Sequence, residues 1–281
     1  MAQIQAKFYS CNMKAHRNLI PICLFCAAML PAVAQAQFNF TTNNGAITIY
    51  GYTGSGGAVT IPSTINGWPV AIIFPRAFCN CTNLTSVSIP NSVTNIGGNY
   101  YPGVVSLGAF QGCTSLTNIS VGNSVTYIGE NTFAVCTSLA SITIPNSVTF
   151  IDSSAFEDCT SLTSVCFTGN APSLRGHTFS GDTATIYYLP WTTGWSTSFG
   201  GLTAVPWLPQ AQTCDAAFGV QTNQFGFNIN WASGQTVVVE ASVDLISWQP
   251  VGTNTITGGS SYFGDPQWTN YPGRFYRLRS P

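Results

Sequence analysis

The chain has 281 residues, of which 6% are charged and 45% are hydrophobic, and its formal net charge is −1. Disordered chains combine few hydrophobic residues with high charge, so this composition excludes disorder and, with its many Ser, Thr, Asn and Gly residues, is typical of a β-rich extracellular protein. The basic side chains after residue 17 are five arginines and one histidine, and they form no stripe that could neutralise a phosphate backbone. Nucleic acid is therefore not an expected partner.

Residues 1–36 have the features of a secretory signal peptide. A basic segment ending at Arg17 precedes the apolar run Leu19–Leu30, which is too short to span a bilayer comfortably. Ala34-Gln35-Ala36 is a small-x-small site, so we expect cleavage after Ala36. A membrane anchor is the alternative. The mature chain is expected to be secreted or held at the cell surface, with no membrane span.

A phenylalanine recurs with a period of 23 residues in the middle of the chain. The series is Phe110, Phe133, Phe156 and Phe179, and Phe78 precedes it by 32 residues, which is one period plus a nine-residue insertion. A cysteine follows three residues after most of them, at Cys81, Cys113, Cys136 and Cys159. A fixed period of this length predicts small structural units stacked on copies of themselves, and we count six coils.

Each coil is predicted to contain one strand with a buried face. Ile142 and Ile144 alternate with Ser and Thr, which is the period of a half-buried strand. Pro145 ends the strand because it cannot donate a ladder hydrogen bond, and an asparagine then suits the turn. Val148 and Ile151 are predicted to point back into the core with the recurring phenylalanine.

The cysteines in the repeats are interpreted as buried free thiols. Stacked equivalents point the same way from adjacent coils, so Cys81, Cys113, Cys136 and Cys159 act as small hydrophobic residues. Disulfides are the alternative, since export would permit them. Outside this column, Cys166 with Cys214 is the candidate disulfide.

The repeat resembles a known family. The unit C-T-S-L-A-S-I-T-I-P-N-S-V-T-F-I-D-S-S-A-F at 136–156 is similar to the BspA-like leucine-rich repeat, also called the Treponema pallidum type, and the resemblance covers about residues 44–190. It implies a right-handed solenoid with one strand per coil on a parallel sheet, and a link to adhesion through host matrix proteins or other cells. The chain departs from the pattern in the insertion 98–106 and in Gly122, which replaces the strand-ending proline.

Two aromatic segments supply the candidate binding residues. The insertion carries Tyr100 and Tyr101, and exposed tyrosines are common interface anchors; a loop folded over the sheet edge is the alternative. Residues 187–209 are rich in aromatic residues and are interpreted as a cap on the last coil. The alternative is a sugar-stacking platform that uses Trp191, Trp195 and Trp207.

The chain after the repeats is predicted to form a second domain. Phe225, Phe227 and Ile229 alternate with polar residues and glycine, and five strands in about 70 residues predict a small β-sandwich. The strings E-A-S-x-D-L-x-x-W and R-F-Y-R-L-R resemble those of a C-terminal β-module in secreted proteins of Verrucomicrobia-type bacteria. Three arginines near the end are read as a sorting or docking signal or as solvated edge charges. The predicted domains are the signal peptide 1–36, the solenoid with caps 37–208, a linker 209–213 and the β-module 214–281.

No catalytic or metal site is predicted. His177 is the one histidine after the signal peptide, and a catalytic triad would need it. Acids on neighbouring coils could approach a cation or act as a glycosidase pair, but they occupy non-repeating positions that imply no pocket: Glu130, Asp152, Glu157 and Asp158. We expect no enzyme, no metal and no cofactor.

The expected function is that of a secreted or cell-surface repeat protein. It would bind an extracellular protein or glycan, with a role in adhesion, as a non-catalytic monomer. The alternative is a passive structural spacer of the cell envelope or extracellular matrix.

Overall fold

The computed structural model describes residues 37–98 and 107–280, in which regular structure is almost entirely β-strand. These residues divide into two units, 37–207 and 208–280. The described part of the chain includes no helix that is long and apolar enough to cross a membrane.

The first unit is built from short strands. In chain order they are β1 (Phe38–Asn43), β2 (Ala46–Tyr52), β3 (Gly57–Thr60), β4 (Thr64–Ile65), β5 (Trp68–Ile73), β6 (Leu84–Ser88), β7 (Asn95–Ile96), β8 (Asn118–Ser120), β9 (Tyr127–Ile128), β10 (Ser141–Ile144), β11 (Phe150–Ile151), β12 (Ser164–Phe167), β13 (Ser173–Leu174), β14 (Thr185–Tyr188), β15 (Ser198–Phe199) and β16 (Leu202–Pro206). Strand β10 ends directly before Pro145, as predicted.

Successive coils place their strands in two mainly parallel sets. The long sheet has the order β1-β2-β5-β7-β9-β11-β13, with β4 paired to β5. The other set consists of β3-β6-β8 and β10-β12-β14-β16-β15. The resemblance implied one strand per coil, and the structure adds a second, which is only two residues long in β7, β9, β11 and β13. The predicted solenoid is confirmed.

The core lies between these strands. Ile96, Ile128 and Ile151 pair in succession along the long sheet, and Ile142 pairs with Val165 in the other set. All are buried and belong to one hydrophobic cluster. The predicted inward positions Val148 and Ile151 are also buried.

The recurring phenylalanines form a stacked column through the first unit. The members are Tyr52, Phe78, Phe110, Phe133, Phe156 and Phe179, with successive ring centroids 5.0, 4.7, 5.6, 5.3 and 5.3 Å apart. All five phenylalanines are buried. We call this column the aromatic spine. It exists because each coil places its phenylalanine over the one before it.

Polar side chains in the repeats bond to the backbone of the preceding coil. Thr126 Oγ1 donates to the Thr94 carbonyl at 3.2 Å, and Thr149 Oγ1 to the Thr126 carbonyl at 3.3 Å. The N–H of Asn123 donates to Asn91 Oδ1 at 2.8 Å, which gives the asparagine column its role. Stacking therefore satisfies polar groups as well as burying apolar ones.

Three of the four repeat cysteines are buried free thiols, as predicted. Cys113, Cys136 and Cys159 are fully buried, whereas Cys81 is only half-buried. Burial raises the pKa of Cys113 and Cys159 to about 12. The two cysteines of the candidate disulfide are each a free thiol, Cys166 half-buried on β12 of the first unit and Cys214 exposed in the second, and their pairing stays a prediction.

The second unit consists of two small antiparallel sheets. Its strands are β17 (Gln210–Ala211), β18 (Gly219–Gln221), β19 (Gln224–Asn230), β20 (Thr236–Ser242), β21 (Gln249–Thr255), β22 (Ser260–Asp265) and β23 (Phe275–Arg279). One sheet has the order β17-β19-β18 with β22 paired to β19, and the other is β21-β20-β23. Residues 210–211 of the predicted linker pair with β19. Tyr276 of one sheet contacts Phe225, Phe227 and Phe263 of the other, and a β-sandwich class for this unit stays a prediction.

The three C-terminal arginines are ion-paired rather than freely solvated, and their role as a sorting or docking signal stays a prediction. Arg277 and Arg279 each donate from Nε to the buried carboxylate of Glu240, at 2.6 and 3.1 Å. Their hydrogen bonds hold the pKa of Glu240 below its ordinary value. Arg274 pairs with Asp265 at 2.6 Å. Each arginine therefore has a buried carboxylate partner within this unit, although the Arg279 side chain is itself 50% exposed.

Candidate functional site

One row of side chains on the outward face of the long sheet forms the candidate binding surface. Strand pairing aligns Ile72, Asn95, Tyr127 and Phe150, followed by Ser173. The first four are half-buried, and Ser173 is exposed. We call Ile72, Asn95, Tyr127 and Phe150 the aromatic row.

The position of the row follows from the repeat. In V-T-x-I the valine and isoleucine are buried, so the residue at x, directly before the isoleucine, faces outward. In two adjacent coils x is aromatic. The rings of Tyr127 and Phe150 stack with centroids 5.7 Å apart and planes at 8°. Parallel, in-register strands lie about 4.8 Å apart, so equivalent aromatic residues on neighbouring coils meet face to face.

A buried carboxylate fixes the tyrosine. Tyr127 Oη donates to Asp152 Oδ2 at 2.6 Å, and the Ser153 N–H donates to Asp152 Oδ1 at 2.7 Å. Burial, and then the hydrogen bond to Asp152, raise the pKa of Tyr127, so the phenol stays protonated. Arg175 lies 3.6 Å from Asp152 Oδ1, but its side chain is 63% exposed, so this pair contributes little to stability.

The outward positions of the other strand set differ in chemistry. They are mostly small hydroxyl residues, namely Ser86, Ser88, Ser120, Ser141, Thr143 and Ser164. Cys166 and Tyr187 follow at the C-terminal end of these rows. A stacked aromatic pair thus sets the long sheet apart from this hydroxyl-rich face.

The predicted binding residues Tyr100 and Tyr101 lie outside the described residues. The insertion that contains them starts at Gly98, two residues after the end of β7. Strand β7 contributes Asn95 to the aromatic row.

The predicted residues Trp191 and Trp195 differ in burial. Trp195 is half-buried against the core, with its ring stacked on Tyr188 at 5.0 Å and 4°, and with Phe167 and Phe199 at 5.0 and 4.8 Å. These contacts support a capping role for Trp195 over a sugar platform. Trp191 is 48% exposed.

The other residues considered for catalysis or metal binding either have a structural role or lie too far apart to form a site. His177 is exposed with a φ of +62°, and Arg76, Asn131 and Ser154 have φ of +70°, +55° and +55° at the same distance before the phenylalanine. This position is a left-handed turn of the repeat. Within 37–98 and 107–280, no three His, Cys, Asp or Glu side chains are grouped so that they could hold a metal ion.

Known proteins share the repeat. Residues 49–185 match six copies of the BspA type Leucine rich repeat region. The crystal structure of a T. pallidum leucine-rich repeat protein is 30% identical with a TM-score of 0.51, and the match covers 61% of this chain and 81% of that chain. The chain belongs to the BspA-type leucine-rich repeat family. The six matched copies agree with the six coils counted from the sequence.

Two further solved structures are similar to this BspA-type chain. A leucine-rich repeat protein from Bacteroides capillosus is 29% identical with a TM-score of 0.41, covering 47% of this chain and 95% of that chain. A leucine rich cell surface protein from Faecalibacterium prausnitzii is 27% identical with a TM-score of 0.46, covering 70% and 58%. No curated protein matches the chain. The family match ends before residue 208, so it says nothing about the second unit.

Sequence reasoning missed Tyr127 and Phe150 as candidate binding residues. The available signal was the variable position in V-T-x-I, which is Asn95, Tyr127 and Phe150 in successive coils. A position that varies between buried neighbours of constant type faces solvent. Aromatic residues at this position in two consecutive repeats predict an exposed aromatic pair.

Proposed function

We propose that this BspA-type protein is an exported, non-catalytic binding protein whose aromatic row contacts an extracellular protein or glycan, in an adhesive role. The observation that carries the proposal is the stacked pair Tyr127 and Phe150, half-exposed on the outward face. Aromatic residues are enriched in interfaces, and a tyrosine held by a hydrogen bond loses little conformational entropy on binding. Export rests on the signal-peptide features of residues 1–36.

The test is a glycan and matrix-protein binding array probed with residues 37–281. The matched variant is Tyr127→Asn with Phe150→Ser, because Asn95 and Ser173 occupy the same position in neighbouring coils. Losing an interface anchor costs more than about 1 kcal/mol, so the double variant should bind at least about tenfold more weakly. Ser120→Ala with Thr143→Ala, on the other strand set, is the control and should bind as the wild type does.

Two other outcomes would move the binding site or replace the proposed function. Binding that survives in the row variant but is lost in Tyr100→Ser with Tyr101→Ser would assign the contact to the insertion. A wild-type chain that binds no member of the array, nor any component of an envelope extract, would favour the alternative of a passive structural spacer.

A further inference from the structure

Asp182 occupies, in the last coil, the position that a cysteine has in the four preceding ones. That position is three residues after the recurring phenylalanine. The backbone is alike: the Cys159 N–H donates to the Phe156 carbonyl at 3.2 Å, and the Asp182 N–H to the Phe179 carbonyl at 3.2 Å. A carboxyl group has therefore entered a position that the array otherwise gives to a neutral thiol.

In the other coils this position holds a hydrogen-bond donor. The thiols of Cys113, Cys136 and Cys159 donate to the phenylalanine carbonyls of the preceding coils, over 3.1, 3.3 and 3.1 Å. By the repeat, the corresponding acceptor for Asp182 is the carbonyl of Phe156. A protonated carboxyl group can donate to it, whereas a carboxylate can only accept.

The surroundings of Asp182 disfavour its ionised form. Both carboxyl oxygens are buried and have no hydrogen-bond partner among the described residues. The side chains that face it are the carboxylates of Asp158 and Glu157 and the thiol of Cys159, all on the preceding coil. Burial, followed by the two carboxylates, raises the pKa of Asp182 to about 7. The Cys159 N–H opposes the rise, but it already donates to the Phe156 carbonyl.

We propose that the packing of the last coil on the preceding one depends on the protonation of Asp182. A neutral Asp182 keeps the last coil packed, and an ionised Asp182 loosens it. Ionisation would leave a buried carboxylate without a donor and next to two like charges, which is costly. The coil that would loosen carries Phe179, the last ring of the aromatic spine. The proposal stands independently of the binding role of the aromatic row.

The test is urea unfolding of residues 37–281 between pH 4 and 8. An aspartate in the unfolded chain ionises near its ordinary pKa of 3.8, so the folded state binds the extra proton between about pH 4 and 7 and wild-type stability falls with rising pH. Compared with Asp182→Cys and Asp182→Asn, the wild-type midpoint should fall steadily to about pH 7 and then stay level. The cysteine variant carries the array's own residue and the asparagine variant is nearly isosteric, and neither ionises in this range.

Hydrogen exchange locates the effect. Peptides covering residues 157–182 should lose protection between pH 6 and 8, after correction for intrinsic exchange. Peptides covering residues 84–96 should keep their protection. Asp182→Asn should abolish the loss in residues 157–182. In Asp158→Asn the break should move to lower pH, because one repelling charge is gone. The proposal is overturned if wild type and Asp182→Asn share one pH profile, or if carboxyl carbon NMR shows Asp182 titrating below pH 5. The NMR titration of the wild type decides even if a variant fails to fold.

Discussion

The two units of the chain stabilise their polar groups by opposite means. In the described part of the repeat unit the one ion pair is long and its arginine is exposed, between Arg175 and Asp152 at 3.6 Å. In the second unit every arginine is paired at 3.1 Å or less with a carboxylate that is at least 92% buried. The comparison shows what stacking provides: a coil receives acceptors from the backbone of the coil before it, whereas a small unit without repeats uses charged side chains.

The largest expected effect comes from the aromatic spine. Phe133→Ala removes a fully buried ring between Phe110 and Phe156, so unfolding of the repeat unit should cost about 3–5 kcal/mol less free energy. Urea unfolding measures it. Thr143→Ala on an exposed hydroxyl position is the control and should change stability by less than about 0.5 kcal/mol. Equal losses in both variants would refute the stacked core as the main source of stability.

The second unit should be most sensitive at Asp265. Its Oδ2 accepts hydrogen bonds from Arg274 at 2.6 Å and from Tyr276 Oη at 2.7 Å, and the Arg274 side chain is only 11% exposed. Asp265→Asn leaves a buried guanidinium without a counter-charge and should cost about 3 kcal/mol. Hydrogen exchange of residues 225–230 and 260–279 measures this loss of stability.

An exposed arginine of the unit's other ion-pair network, around Glu240, provides the contrast. Arg279 is 50% exposed, so Arg279→Gln should cost less than about 1 kcal/mol. Comparable losses of stability in Asp265→Asn and Arg279→Gln would mean that burial does not determine how much an ion pair contributes to stability. The contrast drawn between the two units would then be wrong.

Most of the repeat architecture could be predicted because repetition multiplies each signal. Apolar residues recur in several coils at the positions of Ile142, Val148, Ile151 and Phe156. Their burial could therefore be predicted from the sequence alone. The second strand of each coil could not, since a two-residue strand such as Phe150–Ile151 has no alternation to detect.

The candidate site and the second unit were harder to predict. The site depends on neighbours in different coils: Tyr127 meets Phe150 and Asp152 only after the coils stack. The pairing of Glu240 with Arg277 joins residues 37 positions apart through the register of β20 and β23. Such antiparallel registers leave no periodic trace in a single sequence.

A smaller effect is expected where the repeat unit ends. Gly200 has a φ of +60°, and a Cβ there would lie 2.7 Å from Phe179 Cδ2 and 2.9 Å from Leu174 Cδ1. Gly200→Ala should therefore cost about 2 kcal/mol, from backbone strain plus overpacking against the last ring of the spine. Gly201 has a φ of +89° and nothing within 4 Å of such a Cβ, so Gly201→Ala should show only the strain. Equal thermal shifts in the two alanine variants would show that Gly200 does not press on the spine.

A smaller, stabilising effect concerns the one β-branched residue with a left-handed backbone among the described residues of the repeat unit. Val135 has a φ of +59°, and the same position in other coils holds Asn80, Gly112, Asp158 and Gly181. A left-handed conformation costs a residue with a Cβ roughly 1–2 kcal/mol, and asparagine tolerates it better than valine. Val135→Asn should thus raise the free energy of unfolding by about 1 kcal/mol. The reverse change, Asn80→Val, should lower it by a similar amount. A loss of stability in Val135→Asn would mean that the contacts of this 36%-exposed side chain outweigh the strain, and that side-chain packing rather than backbone conformation dictates the turn position.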